Sequence, residues 1–176
     1  MIGNHEKEPS RFDQLCHALK EVRTQFNNHR TECLHVAARL RDGLSQYLEA
    51  PEGHVSLYAN RGDFAGRKMD GPAAAMKLEN DTFWHFGIVV DLYEEPGVLP
   101  YCCVAFDVRM KKTGRGFELF VDTGEEYQVT LDAAAAEDAG QLQSLFDHLF
   151  KFIVGRLDGA FEAFNTHGDS SRRFGF

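Results

Sequence analysis

The sequence lacks the features that mark exported, membrane-bound and disulfide-rich proteins. It has only four cysteines in 176 residues and no Cys-x-x-Cys spacing, which disfavours both a disulfide scaffold and a zinc site. No apolar run is long enough to span a bilayer, and the polar segment 1–9 does not resemble a signal peptide. The sequence therefore predicts a cytoplasmic protein that makes no membrane contact.

Basic residues are also in short supply. The chain has 19 Lys and Arg residues against 27 Asp and Glu residues, and its net charge is −8. The first 50 residues are neutral, so the whole deficit falls within 51–176. Because nucleic-acid backbones and anionic lipid surfaces are bound through clustered positive charge, neither is an expected partner of this acidic chain.

The short motifs that accompany catalysis and cofactor binding are missing as well. The sequence contains no Walker phosphate loop, no Gly-x-Gly-x-x-Gly turn, no Gly-x-Ser-x-Gly elbow and no His-Glu-x-x-His helix. We therefore expect no cofactor and no bound metal. A non-enzymatic role is favoured over an enzymatic one.

What the sequence does contain is a run of alternating apolar residues over 83–131. Because successive side chains of a strand point to opposite faces, this alternation predicts consecutive half-buried strands that form an antiparallel meander. The pairings that place every apolar set on one face are Ile88 with Phe106, Met110 with Leu119, and Leu119 with Val129. A shift of one residue would turn a whole set toward water, so the agreement of these pairings supports the register.

A heptad pattern precedes the strands. Large side chains recur every seven residues from Phe12 to Tyr47. A companion row of the same spacing lies beside them: Leu15, Val22, His29 and Val36. The two rows together form a seam, which is typical of a helix that packs along its length. Asn27 and Asn28 are poor helix formers, so the region 10–50 is predicted to form either one long helix or a helix pair. The seam either packs on the sheet or self-associates as a coiled coil, and the sequence leaves both alternatives open.

The order of these patterns predicts an α+β fold, because helices are segregated from a run of strands. We expect a long N-terminal helix or helix pair, an antiparallel β-meander of four to five strands, and a C-terminal helix packed on the sheet. A single domain, 1–176, is expected. Its predicted parts are a helical region over 10–50, a sheet over 54–131 with a loop at 60–72, a helical block over 133–165 and a disordered tail over 166–176.

The candidate functional residues lie on the outward face of the meander, opposite the apolar sets. His85 and Phe120 both lie opposite Arg109 in the predicted register. A histidine near a carboxylate and a guanidinium suits general acid–base chemistry or ligand binding, so the catalytic candidates are His85, Asp107 and Arg109. Aromatic and polar groups on an open face also suit a partner surface, for which the candidate contacts are Phe120, Tyr93 and Glu118.

The sequence as a whole favours a small cytosolic protein-interaction module, similar in kind to an adaptor, a chaperone or an inhibitor. Its expected partner is another protein or a second copy of itself, as a dimer. The support is the acidic charge, the surplus of apolar helix surface and the absence of catalytic motifs. The alternative is a small enzyme or ligand-binding domain that uses the outward sheet face around His85, Asp107 and Arg109, or the loop 60–72.

The cysteines give a direct test of the cytoplasmic assignment. Cys102 and Cys103 are adjacent and point to opposite faces of a strand, and Cys16 and Cys33 lie roughly 25 Å apart on one continuous helix. We therefore expect all four thiols to be reduced in the native protein. Titration of the denatured protein without reductant should count four free thiols, and a lower count would contradict the assignment.

Overall fold

The structure is a computed structural model with the α+β fold that the sequence predicts. It describes residues 10–62, 65–93, 102–114, 116–132 and 139–165, so the predicted tail 166–176 lies outside the described residues. The chain divides into two compact units, 1–32 and 33–176, and the expectation of a single domain stays a prediction. Within the described ranges, no helix has the length and apolarity of a membrane span.

The N-terminal helix is a single element, α1 (Arg11–Tyr47). Its first turn is held by a capping box, in which the Asp13 N–H donates to Ser10 Oγ over 3.1 Å and the Ser10 N–H donates to Asp13 Oδ2 over 3.0 Å. The hydrogen bonds from the Ser10 hydroxyl and backbone also lower the pKa of Asp13. The helix continues through Asn27, whose carbonyl oxygen accepts a hydrogen bond from Thr31 Oγ1 at 3.0 Å. Of the two predicted alternatives, one long helix is correct.

Over the described residues, a seven-stranded antiparallel sheet follows α1. In chain order the elements are β1 (Val55–Ala59), β2 (Arg67–Met69), α2 (Pro72–Ala75), β3 (Lys77–Leu78), β4 (Trp84–Leu92), β5 (Cys102–Thr113), β6 (Gly116–Asp122), β7 (Glu126–Asp132) and α3 (Ala139–Asn165). The strand order is β2-β1-β4-β5-β6-β7, and β3 also pairs with β4. Strands β4 to β7 form the predicted meander.

The sheet is larger than the predicted four to five strands, because two short strands join it. β2 lies inside the segment 60–72 that was predicted as a loop, and it pairs with β1. The loop is therefore shorter than predicted. β2 is three residues long and β3 is two, and neither length can show an alternating pattern.

The register of the meander is the predicted one. Ile88 lies opposite Phe106, Met110 opposite Leu119, and Leu119 opposite Val129. Phe106 and Val108 are each 1% exposed, whereas Asp107 and Arg109 on the other face are half-buried. The predicted parity is therefore confirmed. The outward side chains, however, are less exposed than those of a sheet face that is fully open to solvent.

One apolar core joins the inward side of the sheet to α3 and to the part of α1 that lies within 33–176. The helix side chains buried in it are Cys33, Val36, Ala37, Leu40, Leu44, Leu142, Leu145, Phe146, Leu149 and Ile153. The rings of Phe152 on α3 and Phe106 on β5 meet edge to face, 6.2 Å apart. Trp84, the only tryptophan, is buried in the same core. The predicted packing of the C-terminal helix on the sheet is confirmed.

The two helices approach each other closely at Gly43. A Cβ at this position would lie 2.9 Å from the ring of Phe146, so the ring would have to shift to make room for any larger residue. One turn further, the Tyr47 hydroxyl donates to Asp147 Oδ1 over 2.6 Å. This hydrogen bond raises the pKa of Tyr47. A small residue and a polar pair therefore fix the crossing of α1 and α3.

Strand β4 differs from the prediction because both of its faces are covered. The outward side chains buried along it are His85, Val89 and Asp91. Gly87 lies under the ring of Tyr58 from β1, and Lys68 from β2 forms an ion pair with Asp91. The prediction of a half-buried strand is therefore wrong for β4, since β1 and β2 place long side chains over its outward face.

All four cysteines are free thiols. As predicted, the adjacent pair points to opposite faces: Cys102 packs against the core, and the Cys103 thiol donates to Asp91 Oδ1 over 3.1 Å on the outward face. Partial burial and this hydrogen bond raise the pKa of the Cys103 thiol. Cys103 is therefore held in its protonated, less nucleophilic form.

Truncating Phe106 tests the position of the core. Phe106→Ala should lower the free energy of unfolding by ~3–5 kcal/mol, because the ring is fully buried and a cavity remains. Phe12→Ala is the matched control: that ring is 72% exposed, and the loss should stay below ~1 kcal/mol. Urea denaturation gives both values. Equal losses, or a loss below about 1 kcal/mol for Phe106, would contradict the assignment.

Candidate functional site

The outward face of the sheet arranges the candidate residues in two rows across the strands. In one row His85 lies opposite Arg109, and Arg109 lies opposite Phe120. In the next row Asp107 lies opposite Gly87, and Gly87 lies opposite Tyr58 of β1 on its other side. The predicted neighbours of Arg109 are thus confirmed. The second row adds Tyr58, which the sequence pattern did not single out.

Arg109 is the centre of an aromatic cluster. Its guanidinium carbon lies 4.7 Å from the ring centroid of Phe120 and 5.5 Å from that of Phe83, within the range of cation–π attraction. The two rings meet edge to face, 5.6 Å apart, and the guanidinium also forms an ion pair with Glu126. Phe120, proposed from the sequence as an open contact, is therefore half-buried by groups of its own sheet.

His85 is buried and held by a carboxylate. Its Nε2 lies 2.8 Å from Oδ2 of Asp81, which precedes β4. The backbone N–H of Phe83 donates to the same carboxylate over 3.0 Å. That backbone bond is the main reason why the pKa of Asp81 is lowered, and His85 lowers it further. The arrangement orients the imidazole, but it leaves little of the ring accessible to a substrate.

Asp107 is paired with Tyr58 rather than with His85. The Tyr58 hydroxyl donates to Asp107 Oδ1, and its ring crosses the outward face of Gly87. Burial, and then the hydrogen bond to Asp107, raise the pKa of Tyr58. A glycine in the middle of an alternating strand often marks the close approach of another group, and this was the available signal for Tyr58.

The sequence-predicted residues therefore do not converge on a shared centre. Within the described residues His85 contacts Asp81, Asp107 contacts Tyr58 and Arg109 contacts Glu126. Among the partner-surface candidates, Glu118 lies opposite Lys111 and next to the aromatic cluster. Tyr93, which directly follows β4, stacks on His54 at 4.3 Å. It is eight residues from His85, roughly 26 Å in an extended chain.

An open groove of about 480 Å³ lies between α1 and the strands β1 and β2. Its charged lining residues are Arg41, Lys68, Asp42, Glu52 and Asp70. Arg41 pairs with Asp42 at 2.7 Å, and Lys68 pairs with the buried Asp91. Because both cations of the groove are already paired, it offers an anionic ligand no surplus positive charge.

Among the residues that the structure describes, the longest row of exposed large apolar side chains lies on α1. Five side chains of the predicted seam, here called the α1 stripe, are open to solvent: Phe12 (72%), Leu15 (69%), Leu19 (60%), Val22 (62%) and Phe26 (47%). In the other unit, the seam residues Cys33, Val36 and Leu40 are buried. The heptad pattern identified the whole seam, but it did not show which part the fold covers.

Neither a metal-binding cluster nor a similarity to known proteins helps to locate the site. In the part of the chain that the structure describes, no three His, Cys, Asp or Glu side chains lie close enough together to hold a metal ion. No protein-family model, curated protein or solved structure matches the chain.

Gly87→Ala tests the close packing of Tyr58. The added Cβ would lie 2.0 Å from the ring, so the ring must move and lose its bond to Asp107. We expect about 2–3 kcal/mol of lost stability from overpacking and the broken hydrogen bond. Gly155→Ala on α3 is the control, because no atom lies within 4 Å of the added Cβ and helix propensity favours alanine by up to ~1 kcal/mol.

A double-mutant cycle assigns the loss to its cause. In a Tyr58→Ala background, Gly87→Ala should be nearly neutral, because the obstructing ring has been removed. Chemical denaturation of the four proteins measures the coupling. Additive losses would show that another contact of Gly87 is responsible.

Proposed function

We propose that this protein is a protein-interaction module, adaptor-, chaperone- or inhibitor-like in kind, that binds a protein partner through the α1 stripe. The observation that supports the proposal is the exposure of five large apolar side chains along one helix face. Monomeric soluble proteins rarely leave contiguous apolar surface of this kind uncovered, and such surface commonly marks an interaction site.

The spacing of the stripe fits recognition by a helix. Its members follow each other at intervals of three and four residues, which keeps them on one side of an α-helix. Peptide helices that lie in apolar grooves, and helices that pair with each other, use this spacing for their anchors. Helices in water also gain most of their stability from a packed apolar face, so a partner on the stripe would stabilise this part of α1.

The alternative function, an enzyme or ligand-binding domain on the outward sheet face, has less support. Its three candidates, His85, Asp107 and Arg109, already have separate partners, and His85 is buried. On α3, the exposed large apolar side chains among those that the structure describes are Phe150, Val154 and Leu157, and they form a shorter stretch. Four free thiols are consistent with a module that works in the reducing cytoplasm.

A charge placed on the stripe tests the proposal. Leu19→Glu puts a carboxylate in the middle of the stripe, whereas Thr24→Glu adds the same charge on the opposite side of the helix, where the side chain is also exposed. Each tagged protein is used to recover bound proteins from its native host, together with a differently tagged copy of the chain itself. The yield of each bound protein is quantified by mass spectrometry.

We expect at least one protein to be recovered equally by the wild type and Thr24→Glu and at least tenfold less by Leu19→Glu, since central interface residues contribute about 2 kcal/mol or more. Both variants should keep the thermal midpoint of the wild type, because neither position is buried. Identical recovery by all three proteins would overturn the proposal.

A further inference from the structure

We infer that the partner of the α1 stripe is the α1 stripe of a second copy of this chain, and that the two helices lie antiparallel. The inference rests on the proposed function and names its partner. It is carried by three properties of residues 11–32: a self-complementary seam, the charges that flank the seam, and the limit that buried residues set on its length.

The seam is self-complementary when two copies run in opposite directions. With a two-fold axis between Leu19 and Val22, each Leu19 packs against the second copy's Val22, and each Leu15 packs against the second copy's Phe26. The rings of Phe12 and His29 form the outermost layer at each end. The imidazole of His29, which is half-buried in the structure, therefore lies at the end of the interface, where water reaches it. All the central layers are apolar, as knobs-into-holes packing requires.

The charges beside the seam also suit this direction. In an antiparallel pair the residues that flank the seam on one side face their own equivalents from the other copy. Arg11 then lies opposite the second copy's Glu32, Ala18 lies opposite Gln25, and Arg23 lies opposite the neutral Cys16. Opposite charges therefore meet at both ends, and no like charges face each other.

The distribution of net charge is a second argument against the parallel arrangement. Residues 1–32 contain equal numbers of basic and acidic residues, so the net charge of −8 lies within 33–176. A parallel pair would bring two such acidic units to the same end. An antiparallel pair separates the two positions of Cys33, where these units begin, by about 38 Å along the helices. This is the length of 25 helical residues and several Debye lengths at physiological salt.

The length of the available seam sets the strength of the dimer. From Cys33 onward the seam residues are buried in the core of their own chain, so a second copy can use only residues 11–32. Three heptads make a small interface, and small interfaces belong to weak, reversible complexes. The dimer should therefore form with increasing protein concentration and should not be permanent.

Light scattering after size-exclusion chromatography tests the oligomeric state, with samples from about one to a few hundred micromolar because interfaces of this size are weak. The wild type and Thr24→Glu should move from the monomer mass of 19.9 kDa toward twice that mass. Leu19→Glu should stay monomeric over the whole range. A wild type that remains monomeric throughout would overturn the inference.

Disulfide cross-linking tests the direction, using the exposed native Cys16. Arg23→Cys places a second thiol opposite Cys16 of the other copy only in the antiparallel pair. Arg11→Cys does so only in a parallel pair. Within one chain neither pair can close, because disulfides need Cα atoms within about 7 Å. On a helix, residues 16 and 23 are about 10 Å apart, and residues 11 and 16 are about 8–9 Å apart on different sides of the helix.

Under mild oxidation, Arg23→Cys should give a covalent dimer and Arg11→Cys should not. Adding Cys16→Ser to Arg23→Cys should abolish the cross-link. A cross-link in Arg11→Cys alone would overturn the antiparallel arrangement. The two proposals can fail separately. Suppose that the wild type stays monomeric, and that Leu19→Glu nevertheless recovers less of some other protein than the wild type does. That result would refute the second copy as the partner, but it would support the interaction module.

Discussion

The pairing of β4 with β5 is the constraint on which the unit 33–176 depends. Their register runs from Trp84 opposite Met110 to Leu92 opposite Cys102. A slip of one residue would turn Phe106 toward water, and it would also move the outward side chains of β5 to the opposite face. The same pairing therefore determines the apolar core, the aromatic cluster around Arg109 and the position of Asp107 under the hydroxyl of Tyr58.

The sequence predicted the meander and α1 because their patterns are long and local. Alternation persists over four strands, and each strand constrains the register of the next, so the register was recoverable from neighbouring residues alone. β2 and β3 were missed because two or three residues carry no period. The burial of the outward face of β4 was missed for a different reason: its cover comes from Tyr58 and Lys68, which are distant in sequence.

The candidate site was less predictable, since its properties depend on which surfaces remain open. The heptad has the same chemistry at Phe12 and at Leu40, yet one is exposed and the other buried. Phe120 seemed an open aromatic because its cover is a guanidinium from the next strand and a ring that precedes β4. His85 was predicted to face solvent because its partner, Asp81, lies in the short connection before β4. The alternation of apolar residues does not extend into this connection, so it could not show where the Asp81 side chain points.

The buried position of Trp84 has a spectroscopic consequence. It is the only tryptophan of the chain, and residues 1–32 contain neither tryptophan nor tyrosine. The intrinsic fluorescence of the protein therefore originates entirely in the unit 33–176, and a red shift reports the entry of water around β4. Events on the α1 stripe take place on a part of the chain that carries no such chromophore. The optical signal of the sheet and the molecular mass of the particle are thus independent observables, one for folding and one for association.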